Sequence, residues 1–178
     1  MKTYIFLYNE VPLCEFMLAS SLGNTGCETE LISEKRGNIS TNEGMQIATY
    51  KELSEIELEK DDAFLLCGGN VGDIEDMDGL KAFINKAHEN GAIIGGICAG
   101  ADIAAEALAY AYEGTHTEVF AEQVVLSPGS EYADFAQEFG RVAGIYSDEA
   151  DYLGAVRYFR NSQIGNNKIW KKEIAKVS

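Results

Sequence analysis

The sequence predicts an α/β domain with a mostly parallel sheet covered by helices on both faces. Three observations carry that prediction. Several short apolar runs end in Gly, Asn or another loop former. Some of these runs, such as Ala63 to Cys67, are apolar throughout, as strands buried on both faces are. Segments with helical periodicity separate them, so strand and helix alternate along the chain. In such sheets ligands sit beyond the carboxyl ends of the strands, which directs attention to the segments after Tyr8, Cys67 and Ile97.

Taken in order, Thr3 to Tyr8 reads as the opening buried strand. Pro12 then starts a helix that runs to Leu22 and stops at Gly23. Glu28 to Ile32 reads as a second strand, and the weak alternation from Gly37 to Ala48 as a small hairpin. Ala63 to Cys67 is a strand closed by Gly68-Gly69. Asp78 to Asn90 has helical periodicity with Gly91 as its stop. Ala92 to Ile97 is a further buried strand, and the Ala/Leu-rich stretch Ala101 to Tyr112 a helix. Val124 to Leu126 is a short strand, and Ser130 to Phe139 and Asp148 to Asn161 are helical.

The chain has 178 residues, 46% of them apolar and 24% charged. That supplies one well-filled core and argues against wholesale disorder. With only 2 Pro and no low-complexity tract or repeat, the expectation is a single domain over residues 1–178. A net charge of −15 excludes binding to nucleic-acid backbones and to anionic membrane surfaces, both of which need clustered Lys and Arg. The lysines near the end, Lys168, Lys171, Lys172 and Lys176, read as a solvated helical tail. No stretch is long and apolar enough to span a bilayer, and the opening residues lack a signal-peptide pattern, so a cytoplasmic location is expected. Cys14, Cys27, Cys67 and Cys98 form no C-x-x-C pair and only 2 His are present, which argues against a zinc site. In a reducing compartment these cysteines are free thiols.

Of the four, Cys98 stands out. It lies in Ile97-Cys98-Ala99-Gly100, where a buried strand runs directly into an Ala-rich helix between small residues. A sharp strand-to-helix turn needs such residues because the neighbouring backbone approaches closely. The pattern is that of a nucleophile elbow, which holds its side chain exposed above the sheet. A thiol there also faces a helix N-terminus, which favours thiolate, and the Ala99 N–H points at any developing oxyanion. The bland reading is a small core cysteine closing a strand. Cys67 and Cys27 read as packing residues, and Cys14, beside Glu15, as a weaker reactive candidate.

Several segments resemble the ThiJ/PfpI family of the class I glutamine amidotransferase-like superfamily. Ile97-Cys98-Ala99-Gly100 resembles its nucleophile elbow. Cys67-Gly68-Gly69-Asn70-Val71-Gly72 resembles its P-G-G-N-x-G loop, with Cys67 where Pro is usual. The opening strand followed by Glu15 resembles its first βα unit. Ser127-Pro128-Gly129-Ser130 followed by Phe135-Ala136 is similar to its late strand, turn and helix. The resemblance spans nearly the whole chain and implies a flavodoxin-like three-layer sandwich, usually a homodimer. It also implies roles. Glu15 takes the place of the buried acid that hydrogen-bonds the cysteine sulfur. Gly69 takes that of the glycine whose N–H joins the Ala99 N–H in an anion hole, and His116 that of a histidine near the thiol. The bland readings are a solvated carboxylate near a helix start for Glu15, against which stands its position after the first strand on the ligand edge, a turn for Gly68-Gly69, and a surface residue for His116.

One departure stands out: only Thr117 to Gln123 separate His116 from the strand at Val124, a shorter stretch than many relatives carry. It puts a Cys98–His116 dyad in doubt. A true amidotransferase is disfavoured, since neither His88 nor His116 opens a His-x-Glu motif, and His88 reads as a solvated helix residue. The resemblance implies a protein in which Cys98, Glu15 and His116 act on small reactive carbonyls as a glyoxalase or deglycase, with no cofactor and no metal. The alternative is a non-catalytic redox sensor or chaperone-like dimer. An intracellular cysteine peptidase comes third.

Overall fold

In the computed structural model, which describes residues 1–23 and 28–158, the chain divides into two compact units, Met1–Ile145 and Tyr146–Ser178. The first unit holds β1 (Lys2–Phe6), α1 (Leu13–Gly23), β2 (Glu28–Ser33), β3 (Gly37–Ser40), β4 (Gln46–Thr49), β5 (Lys51–Glu52) and β6 (Ala63–Leu66). It continues with α2 (Met77–Glu89), β7 (Ile93–Ile97), α3 (Ala99–Leu108), β8 (Glu118–Phe120), β9 (Val124–Ser127) and α4 (Tyr132–Val142). Seven strands form one sheet in the order β5-β2-β1-β6-β7-β9-β8, and β3 pairs with β4 in a separate hairpin. Every pairing in the large sheet is parallel except β8 with β9. This is a flavodoxin-like α/β sandwich.

Strand alternation splits the core into two layers. Tyr4 and Phe6 of β1, Phe64 and Leu66 of β6 and Ile94 of β7 pack with Leu80 and Ile84 of α2 and Ala101 and Ala104 of α3. Ile5, Leu65, Ile97 and Val125 face the other way, onto Phe16 and Ala19 of α1 and Phe135 and Phe139 of α4. Successive residues of β1 and β6 are almost all buried, so these strands read as continuous apolar runs. Gly95 makes room for this packing, because a methyl there would stand 2.8 Å from the Phe139 ring and 2.9 Å from Leu65.

Helix ends follow local chemistry. Asp76 caps α2 by accepting from the Gly79 N–H at 2.9 Å, and Gly91, at φ 86°, closes it. The helix starting at Ala99 ends at Leu108, four residues before the predicted Tyr112. Ala109 adopts a left-handed φ of 54° and the Tyr110 N–H returns to Ala105 O at 3.0 Å. Tyr110 then stacks on Phe120 at 4.7 Å between ring centroids, a tertiary contact that outweighs local helix propensity.

The stretch after His116 holds β8, which the sequence reading did not anticipate. It pairs antiparallel with β9 through Val119↔Val125 and Phe120↔Val124. Ala121 and Glu122 turn the chain with φ of 51° and 57°, a conformation usually signalled by Asn-Gly. In the second unit residues 149–158 are helical, and Asp148 Oδ1 accepts from the Asp151 N–H at 2.9 Å at the helix start. Cys27, residues 159–161 of the predicted last helix, and the lysines from Lys168 onward lie outside the described residues.

Candidate functional site

The sheet delivers Cys98 to the end of β7, where it is the N-cap of α3 with φ 56° and ψ −130°. A non-glycine residue held at positive φ costs about 1–3 kcal/mol, so the surroundings must enforce it. They do so through close backbone approach. A methyl on Gly100 would stand 2.6 Å from Cys67 O and closer still to Leu66 O, and one on Gly96 would stand 2.8 Å from Gly100 O. The first turn of α3 therefore lies directly on the ends of β6 and β7. The Cys98 N–H donates to Ser127 O at 2.9 Å, fixing the turn to β9, and the residue is left exposed.

Glu15, in the first turn of α1, is 3% exposed. Its Oε2 accepts from the Gly68 N–H at 2.6 Å, and its carboxyl lies beside the Cys98 thiol. Two glycines enclose this pair. A methyl on Gly68 would stand 2.8 Å from Cys98 Cβ, 2.9 Å from Cys98 Sγ and 2.9 Å from Glu15 Oε2. One on Gly129 would stand 3.1 Å from Glu15 Oε1 and 3.4 Å from Cys98 Sγ. Three chain segments thus converge on the thiol: the end of β6, the start of α3 and the turn after β9. All three lie at the carboxyl edge of the sheet.

Burial pushes the Glu15 carboxyl above its ordinary value, while the Gly68 N–H and the Cys98 thiol pull it back. Burial also pushes the Cys98 thiol up. The neighbouring Glu15 carboxylate adds to that, and the Ala99 N–H acts against it. The helix start therefore does not by itself make the thiol more acidic: burial and the neighbouring carboxylate outweigh it. Cys67, fully buried, is pushed well up by desolvation. Cys14 is exposed and is raised by burial of its thiol and by the charges of Glu15 and Glu43.

Of the residues singled out from the sequence, Cys98, Glu15 and Ala99 come together. Gly69 sits beside them at φ 150°, a conformation suited to glycine, and a methyl on it would stand 2.6 Å from Asn9 O and 2.8 Å from the Tyr8 ring. Among the described residues its N–H has no hydrogen-bond partner; the N–H bound to Glu15 is that of Gly68. His116 is not part of the cluster. It is exposed, its Nδ1 pairs with Thr115 Oγ1 at 2.9 Å, and among the described residues no hydrogen bond joins it to Cys98 or Glu15. His88 is half-buried rather than fully solvated, with Tyr110 Oη 3.5 Å from its Nε2.

The sequence reading missed several supporting residues. Tyr8 is buried and donates from Oη to Cys67 O at 2.9 Å, and burial raises its phenol far above the usual range. Asn9 ties the loop after β1 to its neighbours: Oδ1 accepts from the Ser40 N–H at 3.0 Å and Nδ2 donates to Asp73 at 2.9 Å. Glu131 accepts from the Thr117 N–H at 2.7 Å and from Thr117 Oγ1 at 2.9 Å, and Thr117 Oγ1 in turn pairs with Ser127 Oγ at 2.8 Å. Of these, Ser127 gave a signal, as part of the Ser127-Pro128-Gly129-Ser130 run.

Among solved structures, the chain is similar to a thiJ/pfpI family protein from Bacillus anthracis, with a TM-score of 0.76 and 18% identity over 88% of this chain and 89% of that one. A DJ-1 superfamily protein from Agrobacterium tumefaciens gives 0.73 and 17% over 92% of this chain and 99% of that one. An oxidized DJ-1 from Toxoplasma gondii gives 0.70 and 16% over 89% and 97%. These identities speak to the fold alone. No curated protein sequence matches the chain. The DJ-1/PfpI family profile matches residues 1–139, which include every element from β1 to most of α4 and the whole Cys98–Glu15 cluster. The chain therefore belongs to the DJ-1/PfpI family.

Proposed function

We propose that this protein uses Cys98 as a nucleophile toward small reactive carbonyl compounds. The observation that carries the reading is an exposed cysteine whose thiol lies beside a buried carboxyl that is itself held by the Gly68 N–H. Burial raises Glu15 toward the range in which it takes up the thiol proton, and proton transfer works best when donor and acceptor are close in pKa. In the first step the Cys98 sulfur adds to the aldehyde carbon. The S–C bond forms, the C=O π pair moves to oxygen, and the thiol proton travels through Glu15 to that oxygen to give a hemithioacetal. The N–H groups of Ala99 and Gly69 are the donors available to the oxygen while it carries charge. His116 has no part in this scheme, since its partner is Thr115.

For a 2-oxoaldehyde the overall change is internal. The hydrogen of the aldehyde carbon leaves as a proton and a proton returns to the neighbouring carbon. Water then releases the resulting thioester as a 2-hydroxy acid, so no external oxidant is needed. The test is turnover of methylglyoxal by metal-stripped wild-type protein and by Cys98→Ser. Loss of activity in the variant is expected, whereas equal turnover in both would end the claim for Cys98.

A second reading is a redox sensor in which peroxide oxidises Cys98 to sulfinate. The same exposed thiol, with the Ala99 N–H directed at its sulfur, supports it, and one similar solved structure is of an oxidized DJ-1. Selective oxidation of Cys98 by dilute peroxide, seen by mass spectrometry, is the expected result. Uniform oxidation of all four cysteines would count against it.

A further inference from the structure

Besides Glu15, the Asp102 charge acts on Cys98, and Asp102, Glu118 and Glu131 act together with Cys98 on Tyr112. Asp102 lies one turn into α3 and is exposed; Glu118 opens β8; and Glu131 follows the Pro128-Gly129 turn. Glu131 is fixed in place by two hydrogen bonds from Thr117, and Thr117 is joined through Ser127 to the strand end whose carbonyl holds the Cys98 N–H. None of these four carboxylates forms an ion pair among the described residues, whereas Lys35, Arg36, Lys51, Lys81 and Arg141 are all paired with other acids. Tyr112 sits among the same groups. Its Oη is buried without a hydrogen-bond partner among the described residues, and burial followed by the charges of Asp102, Glu118, Glu131 and Cys98 raises it to about 12. Negative charge without an ion-pair partner among the described residues thus gathers on the Cys98 and Tyr112 side of the site. The donors it offers are neutral: the N–H groups of Ala99 and Gly69 and the Tyr112 hydroxyl.

We infer that the Cys98 pocket selects uncharged or cationic electrophiles and turns away those that carry a carboxylate or phosphate. The inference rests on Cys98 being the reacting group, as proposed above. An aldehyde without an acid group enters against no opposing field. An anionic aldehyde such as glyoxylate must approach through the potential of Asp102, Glu118 and Glu131, with no cation paired to these acids among the described residues. Potentials of this kind change encounter rates by large factors at low ionic strength and fade as salt screens them.

The test compares two alkylating agents that differ by one charge. Iodoacetamide and iodoacetate each react with the same thiolate, with formation of an S–C bond and loss of iodide, so the ratio of their rates cancels the ionised fraction of the thiol. Rates at Cys98 are followed by peptide-resolved mass spectrometry in the full chain, with N-acetylcysteinamide as the reference thiol. At low salt the amide-to-acetate ratio should exceed that of the reference by about fivefold. It should fall toward the reference in high salt, and also in Asp102→Asn and in a triple variant that adds Glu118→Gln and Glu131→Gln. A ratio equal to the reference at low salt, or one unmoved by salt and by Asp102→Asn, would overturn the inference while leaving Cys98 as the nucleophile. Absence of Cys98 alkylation by either agent would overturn the reading on which it rests.

Discussion

Gly68→Ala is the sharpest perturbation of the Cys98–Glu15 pair that leaves both residues in place. Gly68 is outside the left-handed region, so its backbone tolerates alanine and only the space around it is at issue. The added methyl would stand 2.8 Å from Cys98 Cβ, 2.9 Å from Cys98 Sγ and 2.9 Å from Glu15 Oε2. Comfortable contact needs about 3.5–4.0 Å, so both side chains must give way by roughly 0.6–1.2 Å. Overpacking of this kind costs about 1–3 kcal/mol, which for a chain of this size lowers Tm by roughly 4–8 °C at the middle of that range. The displacement falls on the contact between thiol and carboxyl, so alkylation of Cys98 by iodoacetamide should change together with Tm. Gly129→Ala, with its nearest contacts at 3.1–3.4 Å, should show a smaller version of both effects, and Gly72→Ala, 3.4 Å from Asn70 Oδ1, neither. The assay is thermal unfolding beside peptide-resolved alkylation. If Gly68→Ala melts and alkylates as the wild type does, the reasoning about this pocket is wrong.

Three further outcomes follow from the geometry. Tyr8→Phe removes the 2.9 Å hydrogen bond to Cys67 O and should cost about 1 kcal/mol in denaturant unfolding; no loss would mean that bond contributes nothing net. His116→Ala should leave stability within about 0.5 kcal/mol and the Cys98 alkylation rate unchanged, because His116 is exposed and bound to Thr115; a marked fall in rate would restore a Cys98–His116 dyad. The third concerns Glu15, whose folded pKa burial raises above the unfolded value, so the unfolded chain loses this proton first as pH rises. Stability then declines from the ordinary carboxylate range upward through the folded pKa. Glu15→Gln should therefore become more stable relative to the wild type as pH rises above the ordinary carboxylate range, and a variant that loses ground to the wild type as pH rises would reverse the assignment.

Much of the fold was legible because its signals are local. Continuous apolar runs gave β1, β6 and β7, and Gly91 marked the end of α2 one residue after the helix cap. The elbow was legible because its cause is steric: Gly96 and Gly100 leave room only for backbone, and that requirement is written in the sequence as small residues around Cys98. What escaped depends on contacts distant in the chain. The early end of α3 follows from Tyr110 stacking on Phe120. Strand β8 escaped because Ala121-Glu122 makes a left-handed turn without the residues that usually announce one. The rise of the Cys98 thiol escaped for a related reason. A helix N-terminus can be read from sequence, and the family resemblance gave Glu15 as a buried acid, but the bond that holds Glu15 to Gly68, 53 residues away in the chain, is seen only in the structure.

The central claim is that Cys98 and Glu15 act as one proton-sharing pair, with the carboxylate accepting from the thiol. The pH dependence of Cys98 alkylation by iodoacetamide in wild type and Glu15→Gln tests it most directly. The amide introduced by Glu15→Gln keeps an oxygen for the Gly68 N–H but removes the negative charge that raises the thiol. The alkylation midpoint should therefore move to lower pH in Glu15→Gln. A midpoint that stays in place would show that the two side chains are not coupled. One that moves upward would show that Glu15 keeps its proton and supports the thiolate, the reverse of the arrangement described.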